Sequence, residues 1–322
     1  MTYSKVSGTG SYVPKLVVTN SMLEAIVDTS DEWIVSRTGI KERHMSVDEN
    51  TSDLAYKASL KALEAANTKA EDLDLIIVAT VTPDFVFPGV SQLLGKRLGC
   101  NMITAFDINA ACSGFVYALD VADKMIQSKA YKKALIVGAE TLTKYTDYED
   151  RNTCVLFADG AGAMVLEASD YPYVKKVVTH SNGDDEGFLR MDGYPLKKDF
   201  KTPEQKRPFA QMKGSDVFKF ATKVLPETLN ELFASLDMKA EDLDLVVAHQ
   251  ANQRIIQKAA KDLKFPMDKM FMNIDTHGNT SAASVPLAID EAIRTHKLKK
   301  GDVFATVAFG AGLTWGGAII EL

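Results

Sequence analysis

The sequence predicts an α/β fold built twice. Short runs rich in Leu, Ile and Val alternate with amphipathic helical patterns along the chain. The segment AEDLDLIIVAT (70–80) recurs 170 residues on as AEDLDLVVAHQ (240–250), its first six letters unchanged. Both halves close on a glycine-rich turn and a strand, ADGAGAMVLE (158–167) and TWGGAIIEL (314–322). A period of that length excludes a solenoid. A chain of 322 residues has room for about two units of ~150 residues each, expected here as 1–172 and 173–322.

In chain order, SDLAYKASLKALEAAN (52–67) reads as an amphipathic helix with Ser52 as its N-cap. LDLIIVAT (73–80) is a buried strand by its continuous apolar content, and ITAFDINA (103–110) is a second. GFVYALDVADKMIQS (114–128) has Phe115, Leu119, Ala122 and Ile126 at helical spacing. KKALIVGAE (132–140) and AGAMVLEA (161–168) are further strands. The second copy is preceded by its own helix, FKFATKVLPETLNELFASL (218–236). Strand–helix–strand repetition implies right-handed crossovers and a mainly parallel or mixed sheet covered by helices. Between the halves, residues 181–214 are rich in Gly, Pro and charge. Phe188, Leu189, Met191 and Tyr194 give this excursion apolar anchors, which predicts a structured covering segment.

Composition narrows the function. Apolar residues are 46% and charged residues 25%, which excludes a disordered or fibrous chain. Thirty-seven Lys and Arg against 43 Asp and Glu leave no global basic field for nucleic acid. Three cysteines, an odd number, do not form a disulfide framework, and the N-terminus has no apolar signal region. No apolar run reaches the roughly 18 residues of a membrane span. The expectation is a cytoplasmic protein without membrane or nucleic-acid partners. The five His and three Cys show no metal spacing, and no GxGxxG or GxxxxGK[ST] occurs, so neither a metal nor a nucleotide cofactor is expected.

Four places carry chemistry. Cys112 lies between a strand and a helix, crowded by Ala110, Ala111, Ser113 and Gly114. Free N–H groups at a helix start favour the thiolate, and small neighbours let a carbonyl reach the sulfur. Cys100 and Cys154 lack that setting and read as structural. His249 ends the second repeat's strand, where α/β folds place ligand sites. Asn279, after Gly278, precedes a small-residue helix start that it could cap, with His277 a lesser candidate beside it. AFGAGLTWGG (308–317) has glycines suited to a tight loop near a substrate.

ACSGFVYAL (111–119), AHQAN (248–252) and GNTSAASVPLA (278–288), in this order, resemble β-ketoacyl-acyl-carrier-protein synthase III, the condensing enzyme that starts bacterial fatty acid synthesis. The likeness extends to TSDEWIVSRTGIKERH (29–44), FADGAGAMVL and AFGAGLTWGGA, nearly end to end. The resemblance implies the thiolase-like fold, a duplicated five-layered αβαβα architecture, and a Cys112–His249–Asn279 triad. It implies condensation of a short acyl-CoA with malonyl-acyl carrier protein and an oxyanion hole of the Cys112 and Ala311 backbone N–H groups. It points to Thr29, Trp33, Arg37, Thr38, Arg151, Met212, Gly214, Phe218 and Asn252 for CoA, with Arg151 stacking across the adenine from Trp33. Phe87, Phe157 and Phe309 are implied for the acyl pocket, Phe87 reaching into the partner of a homodimer. Lys219, Arg254, Lys258 and Lys261 are expected to receive the acidic acyl carrier protein, the last three sharing one helix face at i, i+4, i+7. A related Cys-His-Asn condensing enzyme of polyketide metabolism and a non-catalytic acyl-CoA-binding relative are the alternatives.

Overall fold

The computed structural model describes residues 1–184, 186–193 and 208–322. Tyr194, one of the expected anchors, lies outside the described residues. The strands are β1 (Tyr3–Tyr12), β2 (Leu16–Thr19), β3 (Glu42–Met45), β4 (Leu75–Ala79), β5 (Thr104–Ile108), β6 (Lys133–Thr141), β7 (Asp159–Ser169), β8 (Val174–Ser181), β9 (Leu189–Met191), β10 (Ala210–Met212), β11 (Leu245–Ala248), β12 (Val303–Gly310) and β13 (Thr314–Glu321). The helices are α1 (Asn20–Glu24), α2 (Asp31–Thr38), α3 (Thr51–Ala65), α4 (Val90–Leu98), α5 (Gly114–Gln127), α6 (Arg151–Cys154), α7 (Gly214–Leu236), α8 (Gln253–Leu263), α9 (Ile274–His277) and α10 (Ser284–Arg294).

Two sheets dominate. The first runs β1-β7-β6-β4-β5 and the second β11-β12-β13-β8. In both, the strand that opens on the repeated motif, β4 or β11, pairs in parallel with its neighbour, β6 or β12. That neighbour then pairs antiparallel with the closing strand, β7 or β13. Among the described residues the second half has no full counterpart of β5; a single parallel bridge between Val246 and Met270 stands in its place.

The layers follow from side-chain alternation along the central strands. Leu75, Ile77 and Ala79 of β4 point into a core shared with α5, α10 and the second sheet, as do Leu245 and Val247 of β11. Ile76 and Val78 face the opposite way, against α3 and α4. Val246 and Ala248 face α7 and α8. Both faces of each sheet are covered, which is why these strands read as unbroken apolar runs. The order is helix, sheet, helix pair, sheet, helix: the thiolase-like five layers. A fourth core of Leu23, Ile34, Ile40, Val155 and Ile274 anchors the N-terminal excursion beside the site.

Local details differ from the sequence expectations. The cap of α3 is Asn50, whose N–H donates to Asp53 at 2.7 Å, because Ser52 is already the second residue of the helix and donates to Asp84 at 2.6 Å. The helix expected from 218 begins at Gly214. Within the excursion, β9 and β10 pair antiparallel, and Leu189 and Met212 pack on the fourth core. Among the described residues no helix is long and apolar enough to cross a membrane.

Candidate active site

The two inner helices begin in the same way. After β5, Asn109 accepts from the Ala111 N–H (3.3 Å), Ala111 takes φ +46°, a single turn runs Ala111–Ser113, and α5 starts at Gly114. In the second half, 170 positions on, Asn279 accepts from the Ser281 N–H (2.9 Å), Ser281 takes φ +50°, the turn is Ser281–Ala283, and α10 starts at Ser284. Cys112 occupies the middle of the first turn. Gly310 of β12 backs it closely: a Cβ there would stand 2.6 Å from the Cys112 backbone nitrogen. The Thr314 hydroxyl, 2.9 Å from both the Ala110 and Ala311 carbonyls, ties the Ala311 loop to the Cys112 turn.

The three candidate residues meet in one cavity of about 90 Å³ and are nearly inaccessible: Cys112 is 6%, His249 1% and Asn279 7% exposed. Burial pushes the Cys112 thiol up to about 12, against the opposing action of the Ser281 hydroxyl, and the Glu140 charge adds to the rise. This overturns the expectation of a resting thiolate. The residue's own backbone N–H favours the thiolate, but desolvation of the charge outweighs it.

Burial also brings His249 down to about 3, so the ring is neutral. The Ser284 hydroxyl accepts from the Gln250 N–H (2.7 Å) and lies 2.9 Å from His249 Nδ1, and we assign its own proton to that nitrogen. That leaves the hydrogen on Nε2, a donor. The Phe309 ring meets the imidazole edge to face at 5.2 Å. For Asn279, the bond from the Ser281 N–H fixes its oxygen and leaves the NH₂ group to donate.

Met212, Gly214, Phe218 and Asn252 line the same cavity. Asn252 also caps α8, accepting from the Arg254 N–H and donating to the Arg37 carbonyl (both 2.9 Å). Thr29 Oγ1 is enclosed without a hydrogen-bond partner. Thr38 departs from expectation: its hydroxyl donates to the Ile34 carbonyl (2.7 Å) and accepts from the Ile40 N–H (3.0 Å), closing the end of α2. Arg151 departs too. Its guanidinium stands 5.2 Å over the Trp33 ring and donates to the Asp28 carbonyl, so a base inserted between the two planes must displace it.

A second cavity of about 440 Å³ opens on the other side of Cys112, walled by Val81, Leu142, Phe157 and Leu189, with Ala311 at its edge. Phe157 borders both cavities. Phe309 lines the first, because it packs on His249, and Phe87 lines neither: it is 85% exposed. On α8, Arg254 stands over Phe218 at the rim of the first cavity (5.4 Å), Lys258 is paired with Asp262, and Lys219 on α7 with Asp216. With Lys261 exposed on the same helix face, the basic surface rests mainly on Arg254 and Lys261. His277 is turned away, toward Thr276 and Glu291.

Three polar residues around the site escaped sequence reasoning: Ser284, Ser281 and Glu140, whose carboxylate Ser281 approaches at 3.2 Å. The two serines stand inside GNTSAASVPLA, but only the fold brings their partners to them.

Residues 106–183 match the family model for 3-oxoacyl-[acyl-carrier-protein (ACP)] synthase III, and residues 233–322 match the model of its C-terminal part. The chain is 50% identical over 320 residues to the curated β-ketoacyl-[acyl-carrier-protein] synthase III of Xanthomonas campestris pv. campestris, covering 99% of this chain and 98% of that protein. Identity to the synthase of that name from Clostridium perfringens is 48% over 324 residues, all of both chains. Among solved structures, the 3-oxoacyl-[acyl-carrier-protein] synthase III of Aquifex aeolicus superposes with a TM-score of 0.93 at 44% identity, covering 99% of this chain and 100% of that one. The Thermus thermophilus enzyme gives 0.92 at 40%, covering 99% of each.

Proposed function

The chain belongs to the 3-oxoacyl-[acyl-carrier-protein] synthase III family, and from that premise we propose how its residues perform the condensation. The enzyme joins a short acyl-CoA to malonyl-acyl carrier protein, giving 3-oxoacyl-acyl carrier protein, CO₂ and CoA, and so initiates fatty acid synthesis. The carrying observation is the convergence, in one cavity, of a thiol from one half with two neutral donors from the other.

Cys112 attacks the acyl thioester, and the Cys112 and Ala311 N–H groups receive the tetrahedral oxyanion. Malonyl thioester then loses CO₂ next to His249 Nε2–H and the Asn279 amide, which stabilise the enolate oxygen by donation. Removing one such donor elsewhere costs ~10²–10³ in rate. Neutrality of His249 fits this role, since decarboxylation needs donors and no base. The carbanion attacks acyl-Cys112 and releases the product. The narrow first cavity suits the extended pantetheine arm shared by CoA and the carrier, with Thr29, Trp33, Arg37 and Arg151 toward the nucleotide. The wider second cavity suits the acyl chain. The carrier docks on Arg254 and Lys261, with Lys219 and Lys258 beside them. Residues 1–172 and 173–322 are the two units of the duplication, and the protein works in the cytoplasm.

Phe85, Val86 and Phe87 form a continuous exposed apolar stretch, 57%, 84% and 85% accessible. This supports a homodimer in which Phe87 enters the partner's acyl cavity; sedimentation of wild type against Phe87→Asp checks it, and a fully active monomer would refute it. The chemistry is tested with labelled malonyl-acyl carrier protein and intact mass. The expected results are acyl-CoA-dependent mass gain on Cys112 and CO₂ release that survives Cys112→Ser. Acyl transfer by Cys112→Ser at the wild-type rate would overturn the assignment.

A further inference from the structure

The mechanism leaves one buried carboxylate unused. Glu140, near the end of β6, is wholly inaccessible. Donors ring it: Thr82 Oγ1 at 2.5 Å, Thr80 Oγ1 at 3.2 Å, the Val81 N–H at 3.2 Å from each oxygen, and the Ser281 hydroxyl at 3.2 Å. Ser281 and Cys112 border the second cavity together, and the Ser281 hydroxyl favours the Cys112 thiolate against the effect of burial. The Ser281 hydroxyl thus links the cavity wall beside the Cys112 sulfur to the Glu140 carboxylate, to which it donates. It lies on the opposite side of Cys112 from His249, whose Nδ1 is occupied by Ser284 and whose Nε2 carries a hydrogen.

We propose that Glu140 takes the Cys112 proton through the Ser281 hydroxyl and holds it for the lifetime of the acyl-enzyme. The idea deepens the condensing reading and rests on it. In the first half-reaction the Cys112 S–H bond breaks as Ser281 Oγ gains that proton, and the Ser281 proton passes to Glu140. The thiolate sulfur bonds to the acyl carbon, and the CoA sulfur departs with the electron pair. CoA thiolate takes its proton from water, the one proton that the whole condensation consumes. In the second half-reaction the carbanion bonds to the acyl carbon, the bond to Cys112 breaks, and the sulfur recovers its proton from Glu140 through Ser281.

Burial brings Glu140 up to about 7, where it can both accept and return a proton at neutral pH. The other ionisable groups of this region are Cys112, His249, Lys144, Asp84 and Asp159. Lys144 gives its ammonium to the Thr82 and Pro83 carbonyls, Asp84 accepts from Ser52, and Asp159 from Thr143 and Ser46, so none of these three competes for Ser281.

The test compares wild type, Glu140→Gln and Ser281→Ala in three measurements: single-turnover acylation by acetyl-CoA read by intact mass, the pH profile of Cys112 alkylation by iodoacetamide, and CO₂ release from malonyl-acyl carrier protein. Gln keeps an acceptor for Ser281 but cannot hold the proton. Both variants should acylate ~10²-fold more slowly. The alkylation profile should move to higher pH in Ser281→Ala, which loses the hydroxyl that favours the thiolate, and to lower pH in Glu140→Gln, which loses the charge that raises the thiol, while CO₂ release should stay within about threefold because His249 and Asn279 are untouched. Wild-type acylation with an unmoved profile in either folded variant would overturn the relay. So would a fall in CO₂ release matching the fall in acylation, which marks a purely structural role. If Glu140→Gln does not fold, Ser281→Ala decides alone. A wild-type protein that takes no acetyl group on Cys112 would instead overturn the condensing reading itself.

Discussion

The turn that carries Cys112 and the turn that follows Asn279 have one backbone and opposite uses. Each has an Asn closing onto the N–H two residues on, a positive φ, a three-residue turn and a helix start. The differences are in what fills the frame. Asn109 is exposed where Asn279 is buried, Ala111 stands where the second turn has Ser281, and Cys112 where it has Ala282. Beneath them, Gly310 of the second sheet lies against the first turn, and Glu140 of the first sheet lies against the second. The repeated frame supplies position, and in the proposed function a few side chains on it decide which copy attacks and which donates. Each turn is backed by a strand of the other half, so neither copy completes a site alone.

The sharpest break in this comparison is Cys112→Ser, which should abolish measurable acyl transfer while CO₂ release persists, the alkoxide being far harder to form than the thiolate; mass spectrometry reads it. Asn279→Ala should cost ~10²–10³ in malonyl decarboxylation, the loss of one oxyanion donor. Equal decarboxylation in that variant would show that the second turn is only scaffolding. Gly310→Ala should slow acylation by ~10², because its Cβ would stand 2.6 Å from the Cys112 backbone nitrogen and must move the Cys112 turn.

Two smaller effects sharpen the contrast. His249 and Glu140 should act oppositely on stability. A histidine lowered from 6.5 to about 3 contributes stability above pH 6.5 and loses it as pH falls toward 3. A carboxyl raised from 4.5 to about 7 contributes below pH 4.5 and loses it as pH rises through 7. Melting series should show His249→Gln flattening the acid slope and Glu140→Gln the neutral one, by at most about 1.4 kcal/mol per pH unit for each group. Last, Asn109→Ala should cost about 1 kcal/mol of stability as a lost cap and change turnover only a few-fold, against the large loss from the same substitution at Asn279.

The repeated AEDLDL motif exposed this frame before any coordinates, because identical segments followed by apolar runs demand equivalent strands. Cys112, His249 and Asn279 were legible as strand-end and helix-start residues, and they do share a cavity. The thiolate was misread because a sequence shows the helix start but not the depth of burial that outweighs it. Glu140 passed as the polar end of a strand, where a carboxylate is ordinarily solvated; only the closing of Thr80, Thr82 and Ser281 over it reveals the enclosure. Thr38 shows the reverse failure: a hydroxyl in a ligand-like segment is consumed by its own helix end.

Under the proposed function, two cavities that meet at Cys112 also impose a schedule. An acyl chain parked in the wider one leaves the narrower one as the channel for both pantetheine arms, first that of CoA and then that of the carrier. Departure of the first product is then a condition for entry of the second substrate, and the enzyme shuttles between a free and an acylated form without holding both donors at once. Initial-rate plots should be parallel lines, and added CoA should compete with malonyl-acyl carrier protein for the acylated form.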